Sequence, residues 1–201
     1  MRVTFPRLAD HERAYALVER DDGVVFRLYG GRAGPRLPHD ITHFVVEREL
    51  RIGDGIWGGI AAGIIFDSMQ HVSGCRPPHA RERSTELLAS FGQHGLRAEV
   101  LANFDECVAG LDHPSDLQIM TLAAAKLTVL PPADADVEPA RVAAAAQALQ
   151  VEAARWARLR VGEQLSYDWP REARAAQQRR ARTRKPRIVR PYKKGRRRRP
   201  A

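Results

Sequence analysis

The positive charge of this chain is gathered at one end, and that limits how much of it can pack. Residues 171–201 hold fifteen of the 33 lysines and arginines but only one of the 24 acids, Glu172, which leaves eighteen bases against twenty-three acids in residues 1–170. The net charge of +9 is therefore a +14 tail on a −5 body. With Pro186, Pro191 and Gly195 among its dense cations, the segment KPRIVRPYKKGRRRRPA is expected to be disordered alone, while REARAAQQRRAR before it could extend or become helical when bound. Residues 1–170 are expected to form a single α+β globular domain, with 171–201 as a basic tail and the boundary near Pro170.

Within the body, AYALVERDDGVVFRLY places two β-rich runs around Asp21-Asp22-Gly23, a turn signal that predicts an antiparallel β-hairpin, with RVTF available as a third strand. GGRAGPRLP is a loop, and Pro38 suits the start of a helix running from His39 to about Arg51. The next segment, IWGGIAAGIIFDSM, is apolar on nearly all sides and rich in small residues; it predicts a buried helix, or else a buried strand pair, whose glycines let another backbone approach. Helices are then expected from Ala80 to about Phe91, through Leu96 to Leu111, and from Pro114 to Leu130, where Pro131-Pro132 stops the last. Glu138 to Val161 predicts a long alanine-rich helix with Val142, Ala146, Leu149, Ala153, Trp156 and Leu159 along one side. The expected architecture is a small N-terminal antiparallel β-hairpin sheet followed by a mostly helical body.

The first residues carry charges where a signal peptide needs an apolar stretch, and the most apolar run, Ile56 to Phe66, is shorter than the roughly 20 residues of a bilayer span. Cys75 and Cys107 are too few for a disulfide framework. These features lead to the expectation of a soluble, cytoplasmic chain with reduced thiols and no membrane partner.

The strongest chemical signal is LPHDITHFVVERE, residues 37–49. On a helix, His39 and His43 stand one above the other and can aim imidazole nitrogens at one point, with Ile41, Phe44 and Val45 on the adjoining core face. The HDxxH spacing is similar to the HExxH helix of zincin metalloproteases, in which two histidines bind zinc and the intervening glutamate is a general base. That similarity implies a divalent ion, zinc first among them, on His39 and His43, with Asp40 in the place of the base but one methylene shorter. Glu47 extends the pattern to HxxxHxxxE and is a further candidate ligand. Yet on a straight helix it lies about 12 Å from His39 at 1.5 Å per residue, so sharing one ion requires a bend. Otherwise Glu47 orients His43 from behind and the third ligand comes from elsewhere, with Asp67, His71, His79, Glu82 and Glu86 as candidates. His71, Cys75 and His79 also space N and S donors four apart, but Gly74 and Pro77-Pro78 make that region a loop. The non-metal alternative is a solvated ladder of His39, His43 and Glu47, with Asp40 favouring the helix N-terminus. Leu37, Pro38, His39, Asp40, His43, Val46 and Glu47 also match an LPHDxxHxxVE segment that resembles one in uncharacterised bacterial proteins. The resemblance implies a shared local structure and carries no assigned activity.

The tail is chemically simpler. Arg184, Lys185, Arg187, Arg190, Lys193, Lys194, Arg196, Arg197, Arg198 and Arg199 can pair with phosphates and release counterions without reading sequence, so nucleic acid or another polyanion is the expected partner. A solubilising extension, or an arm docking on the acidic body or a protein partner, are the alternatives. GxxxxGK[ST] and GxSxG sequences are absent, as is a GxGxxG after a strand. The leading expectation is thus a metal-binding protein, extending to a metal-dependent hydrolase. Its rivals are a polyanion-binding protein acting through the tail, and an interaction module using the Gly-rich and Ala-rich helices.

Overall fold

In a computed structural model, residues 1–170 are described, and the tail expected to be disordered lies outside them. The elements follow in the order β1 (Arg2–Pro6), β2 (Arg13–Glu19), β3 (Val25–Arg32), α1 (His39–Glu49), α2 (Ile56–Ala62), β4 (Met69–Ser73), α3 (Ala80–Ala109), α4 (Asp116–Lys126), α5 (Pro132–Ala135), α6 (Pro139–Arg158) and β5 (Gln164–Asp168). The fold is α+β, as the sequence patterns require.

The hairpin forms where expected. Asp22 Oδ1 accepts the Val24 N–H, and Gly23 takes φ +78°, a backbone region that glycine enters without Cβ strain. All strand pairings are antiparallel, and the sheet order is β4-β3-β2-β1-β5. Alternation sends Val3, Phe5, Val18, Phe26 and Leu28 to one face, where they are buried. Helices α1 and α2 cover that face, with Phe44 and Trp57 meeting Phe5 edge-on at centroid distances of 6.4 and 5.7 Å. Trp169 completes the cluster against Phe44 at 5.3 Å.

Two strands depart from the sequence expectation. β5 returns from the far end of the body to pair along β1, burying Leu165 and Tyr167, and its period of two was present in QLSYD but too short to stand out. β4 begins at Met69, the last residue of the apolar segment: α2 ends at Gly63, whose φ of +123° no helix continues, so the expected buried helix is confined to Ile56–Ala62 and residues 64–68 connect it to the strand. Within α2, Gly58 lies so close to the Gly53 backbone that a Cβ would overlap it, which is the close approach expected of these glycines.

The helices expected to break near Phe91 are one continuous 30-residue helix, α3. Gly92 and Gly95 each cost roughly 1 kcal/mol of helix propensity relative to alanine, but the helix carries through them while Phe91 packs against Phe66 at 5.3 Å. In α4, Ser115 and Gln118 form a reciprocal capping box. On α6, Val142, Ala146, Leu149 and Trp156 are buried as expected, but Glu152 is buried and Ala153 exposed. Glu152 is held by Arg155 Nη1 at 2.9 Å and by the Tyr167 hydroxyl, so the buried stripe includes a paired carboxylate.

Candidate metal centre

Helix α1 starts directly after Pro38, with Asp40 in its first turn near the helix's positive end. Burying Ile41, Phe44 and Val45 turns the neighbouring stripe, His39, His43 and Glu47, toward α3 and the start of α2. His39 remains half exposed, whereas His43 and Glu47 are buried.

Helix α3 supplies the missing donor, Glu99. Its Oε1 lies 3.1 Å from His39 Nε2, its Oε2 lies 2.9 Å from His43 Nε2, and the two imidazole nitrogens are 3.1 Å apart. His39, His43 and Glu99 therefore form a group that could hold a metal ion. Donors bound to one ion at about 2.1 Å sit about 3.0 to 3.4 Å from one another in octahedral or tetrahedral arrangements, so the spacing already suits a common centre. One turn along α3, Asn103 Nδ2 donates to the Glu99 carbonyl at 2.8 Å. Glu106 closes the rim, accepting from Thr42 Oγ1 at 2.9 Å and lying 3.9 Å from His39 Nδ1.

Glu47 is not part of this group. Eight residues beyond His39 on the same helix, it faces the other nitrogen of His43, with Oε1 3.7 Å from Nδ1. Its carboxylate accepts the Ile56 N–H at 2.9 Å and the Trp57 N–H at 3.0 Å. Of the two expectations for Glu47, the position behind the ring is the one that the geometry gives. Burial pushes the Glu47 carboxyl above its ordinary range, against the opposing pull of His43 and the two N–H donors. For His43, burial disfavours the proton but Glu47 and Glu99 outweigh it, so its imidazole titrates above the usual value.

Asp40 sits beside the centre with its carboxyl group against Gly30 of β3, so closely that a Cβ there would overlap Oδ2. Burial raises its pKa, opposed by the two histidines. Its backbone carbonyl accepts Trp57 Nε1–H at 3.1 Å, fixing the first turn of α1.

None of the third-ligand candidates, Asp67, His71, His79, Glu82 or Glu86, joins the group. His71 lies on β4 with Nε2 2.9 Å from the Gly74 carbonyl, and His79 precedes α3 in a left-handed conformation. Cys75 and Cys107 are exposed and free. Glu99 was missed because a ligand on the facing helix has no fixed sequence distance from the histidines. Its only local trace is the polar series Glu99, Asn103, Glu106 along one side of α3. The tail residues Arg184 to Arg199 lie outside the described residues.

Compared with protein-family models, curated proteins and solved structures, the chain matches none. Among the described residues no helix is long and apolar enough to cross a membrane.

Proposed function

We propose that the chain is a metal-binding protein, and by extension a metal-dependent hydrolase, with His39, His43 and Glu99 as ligands to a divalent ion, zinc first among them. The observation that carries this reading is the convergence of three donor atoms from two helices within hydrogen-bond distance of one another. Glu47 behind His43 supports it, because a buried carboxylate 3.7 Å from the far ring nitrogen favours the tautomer that carries its proton there and leaves Nε2 to act as a ligand. A divalent ion held by His39, His43 and Glu99 would keep a net positive charge after two neutral imidazoles and one carboxylate, and would supply Lewis-acid chemistry there. Asp40, next to His39 in the first turn of α1, is the carboxylate we assign as the proton acceptor of such a hydrolase.

Elemental analysis of protein purified without a histidine tag tests the reading. One equivalent of metal is expected, lost in His39→Ala, His43→Ala and Glu99→Ala. Its absence after supplementation with zinc and with manganese would overturn the proposal.

A second activity is carried by the charge partition: a +14 tail on a −5 body is suited to nucleic acid or another polyanion in the cytoplasm. It needs no metal and is tested separately by salt-dependent binding.

A further inference from the structure

The sheet has a second face, and its side chains differ in kind from those of the core. Cross-strand register places Tyr15 opposite Tyr29, Leu17 opposite Arg27, and Arg27 opposite Gln70, all on the side away from α1 and α2. The two tyrosine rings meet edge-on at 6.5 Å. Arg27 lies over the Tyr15 ring and Arg13 over the Tyr29 ring, each at 4.6 Å. Tyr15, Arg27 and Tyr29 are half-buried and Arg13 is exposed.

Two features of this patch exceed what closing a sheet requires. Among the described residues neither Arg13 nor Arg27 is paired with a carboxylate, and Arg27 Nε is buried without a hydrogen-bond partner. The acids of this face, Glu19 and Asp168, stand at the opposite end of the strands beside Arg2. The patch therefore presents guanidinium planes stacked on aromatic rings, with Arg13 exposed and Arg27 Nη1 directed at the Tyr29 hydroxyl at 3.4 Å. Its charge suits an anion, and its flat aromatic layers suit a planar group. The chain's own tail is no candidate occupant, because it repeats the same sign of charge. That tail is also joined to this sheet, since β5 ends at Asp168, just before residue 171.

We infer that the face formed by Arg13, Tyr15, Arg27, Tyr29 and Gln70 binds single-stranded nucleic acid. Bases stack on the arginine–tyrosine layers and phosphates pair with the exposed Arg13 guanidinium, while Gln70, which accepts from the Tyr29 hydroxyl at 2.9 Å, holds that ring in place. A duplex, whose bases are already stacked on each other, has nothing to offer the rings. The inference stands apart from the metal reading. It also goes beyond binding by the tail, which is indifferent to strandedness apart from charge density.

The test measures binding of the full chain to labelled oligothymidine and oligouridine strands and to a duplex. It is repeated with Tyr15→Ala, Tyr29→Ala and the charge-only variant Arg13→Gln/Arg27→Gln, with ultraviolet cross-links mapped on the unaltered protein. Single strands are expected to bind in preference to the duplex, roughly tenfold more weakly after either tyrosine change, and to cross-link at Tyr15 or Tyr29. Equal binding of single strand and duplex, with cross-links confined to residues 171–201, would overturn the sheet site and leave both the tail and the metal readings intact. Should a tyrosine variant fail to fold, the cross-link map and the arginine variant decide in the same way.

Discussion

Glu47 and His43 form a buried pair in which the carboxylate sits 3.7 Å from Nδ1 while both of its oxygens are held by the backbone N–H groups that open α2. The pair thereby links two events far apart in the sequence: the aim of a candidate ligand and the start of the next helix. Replacing Glu47 with Gln removes the negative charge behind the ring and turns an amide NH2 toward one of the two N–H donors. Metal affinity is expected to fall by roughly 10- to 100-fold, measured by competition with a chelator. Stability is expected to fall by about 1–3 kcal/mol for a buried donor left without its acceptor, measured by urea unfolding. An affinity unchanged in a folded variant would remove Glu47 from the site.

The same relationship makes Gly55 a packing determinant of the centre. A Cβ at Gly55 would stand 2.5 Å from Glu47 Cδ, the end of a side chain that burial and the Ile56 and Trp57 N–H groups hold in place, whereas at Gly31 it would meet open space. Gly55→Ala is therefore expected to destabilise by about 1–3 kcal/mol and to weaken metal binding together with stability, while Gly31→Ala stays close to neutral. Thermal unfolding of the two variants side by side checks this, and equal melting temperatures would refute it.

How far the sequence reached depended on the range of each interaction. The hairpin, the helical nature of residues 39–49 and the pairing of His39 with His43 depend on neighbours within a few positions, so turn chemistry and helical spacing were enough. Glu99 and β5 depend on how distant segments pack: Glu99 on α3 crossing α1, and β5 on a return to β1 after the whole of residues 7–163. Gly92 and Gly95 misled for the opposite reason, since local propensity argued for a break and the 30-residue helix overrode it. Glu47 was readable in part, because helix geometry alone separated it from His39, but its backbone partners at Ile56 and Trp57 were not.

Asp105 carries a pH dependence unrelated to the metal group. It is fully buried on α3, both carboxyl oxygens lack hydrogen-bond partners among the described residues, and burial raises its pKa to about 8. Between the ordinary carboxyl value near 4 and about 8, the unfolded chain gives up this proton while the folded chain keeps it. Its contribution is thus fully present below about pH 4 and lost progressively as pH rises toward 8, by an amount on the order of several kcal/mol. Asp105→Asn, which cannot ionise, is expected to gain stability relative to the parent at pH 8 and much less at pH 5. Urea unfolding at both pH values measures the difference, and an equal effect at the two would contradict a buried protonated carboxyl.

Salt separates the tail's contribution to nucleic-acid binding from that of the sheet. Counterion release makes the logarithm of affinity fall linearly with the logarithm of salt concentration, with a slope of about −0.7 per neutralised phosphate on a single strand. Changing Arg196, Arg197, Arg198 and Arg199 to Gln removes four charges, so the slope is expected to become shallower by about 3 if all four contact phosphates. Stacking on the Tyr15–Tyr29 face releases few ions, so Tyr29→Ala should lower affinity by a similar factor at every salt concentration and leave the slope nearly unchanged. Titrations of the full chain across a salt series measure both quantities. A slope unaffected by loss of the four arginines would show that these residues do not meet the polyanion. A slope that changes with Tyr29→Ala would show that the ring acts by placing Arg13, the cation stacked on it, and not by holding a base.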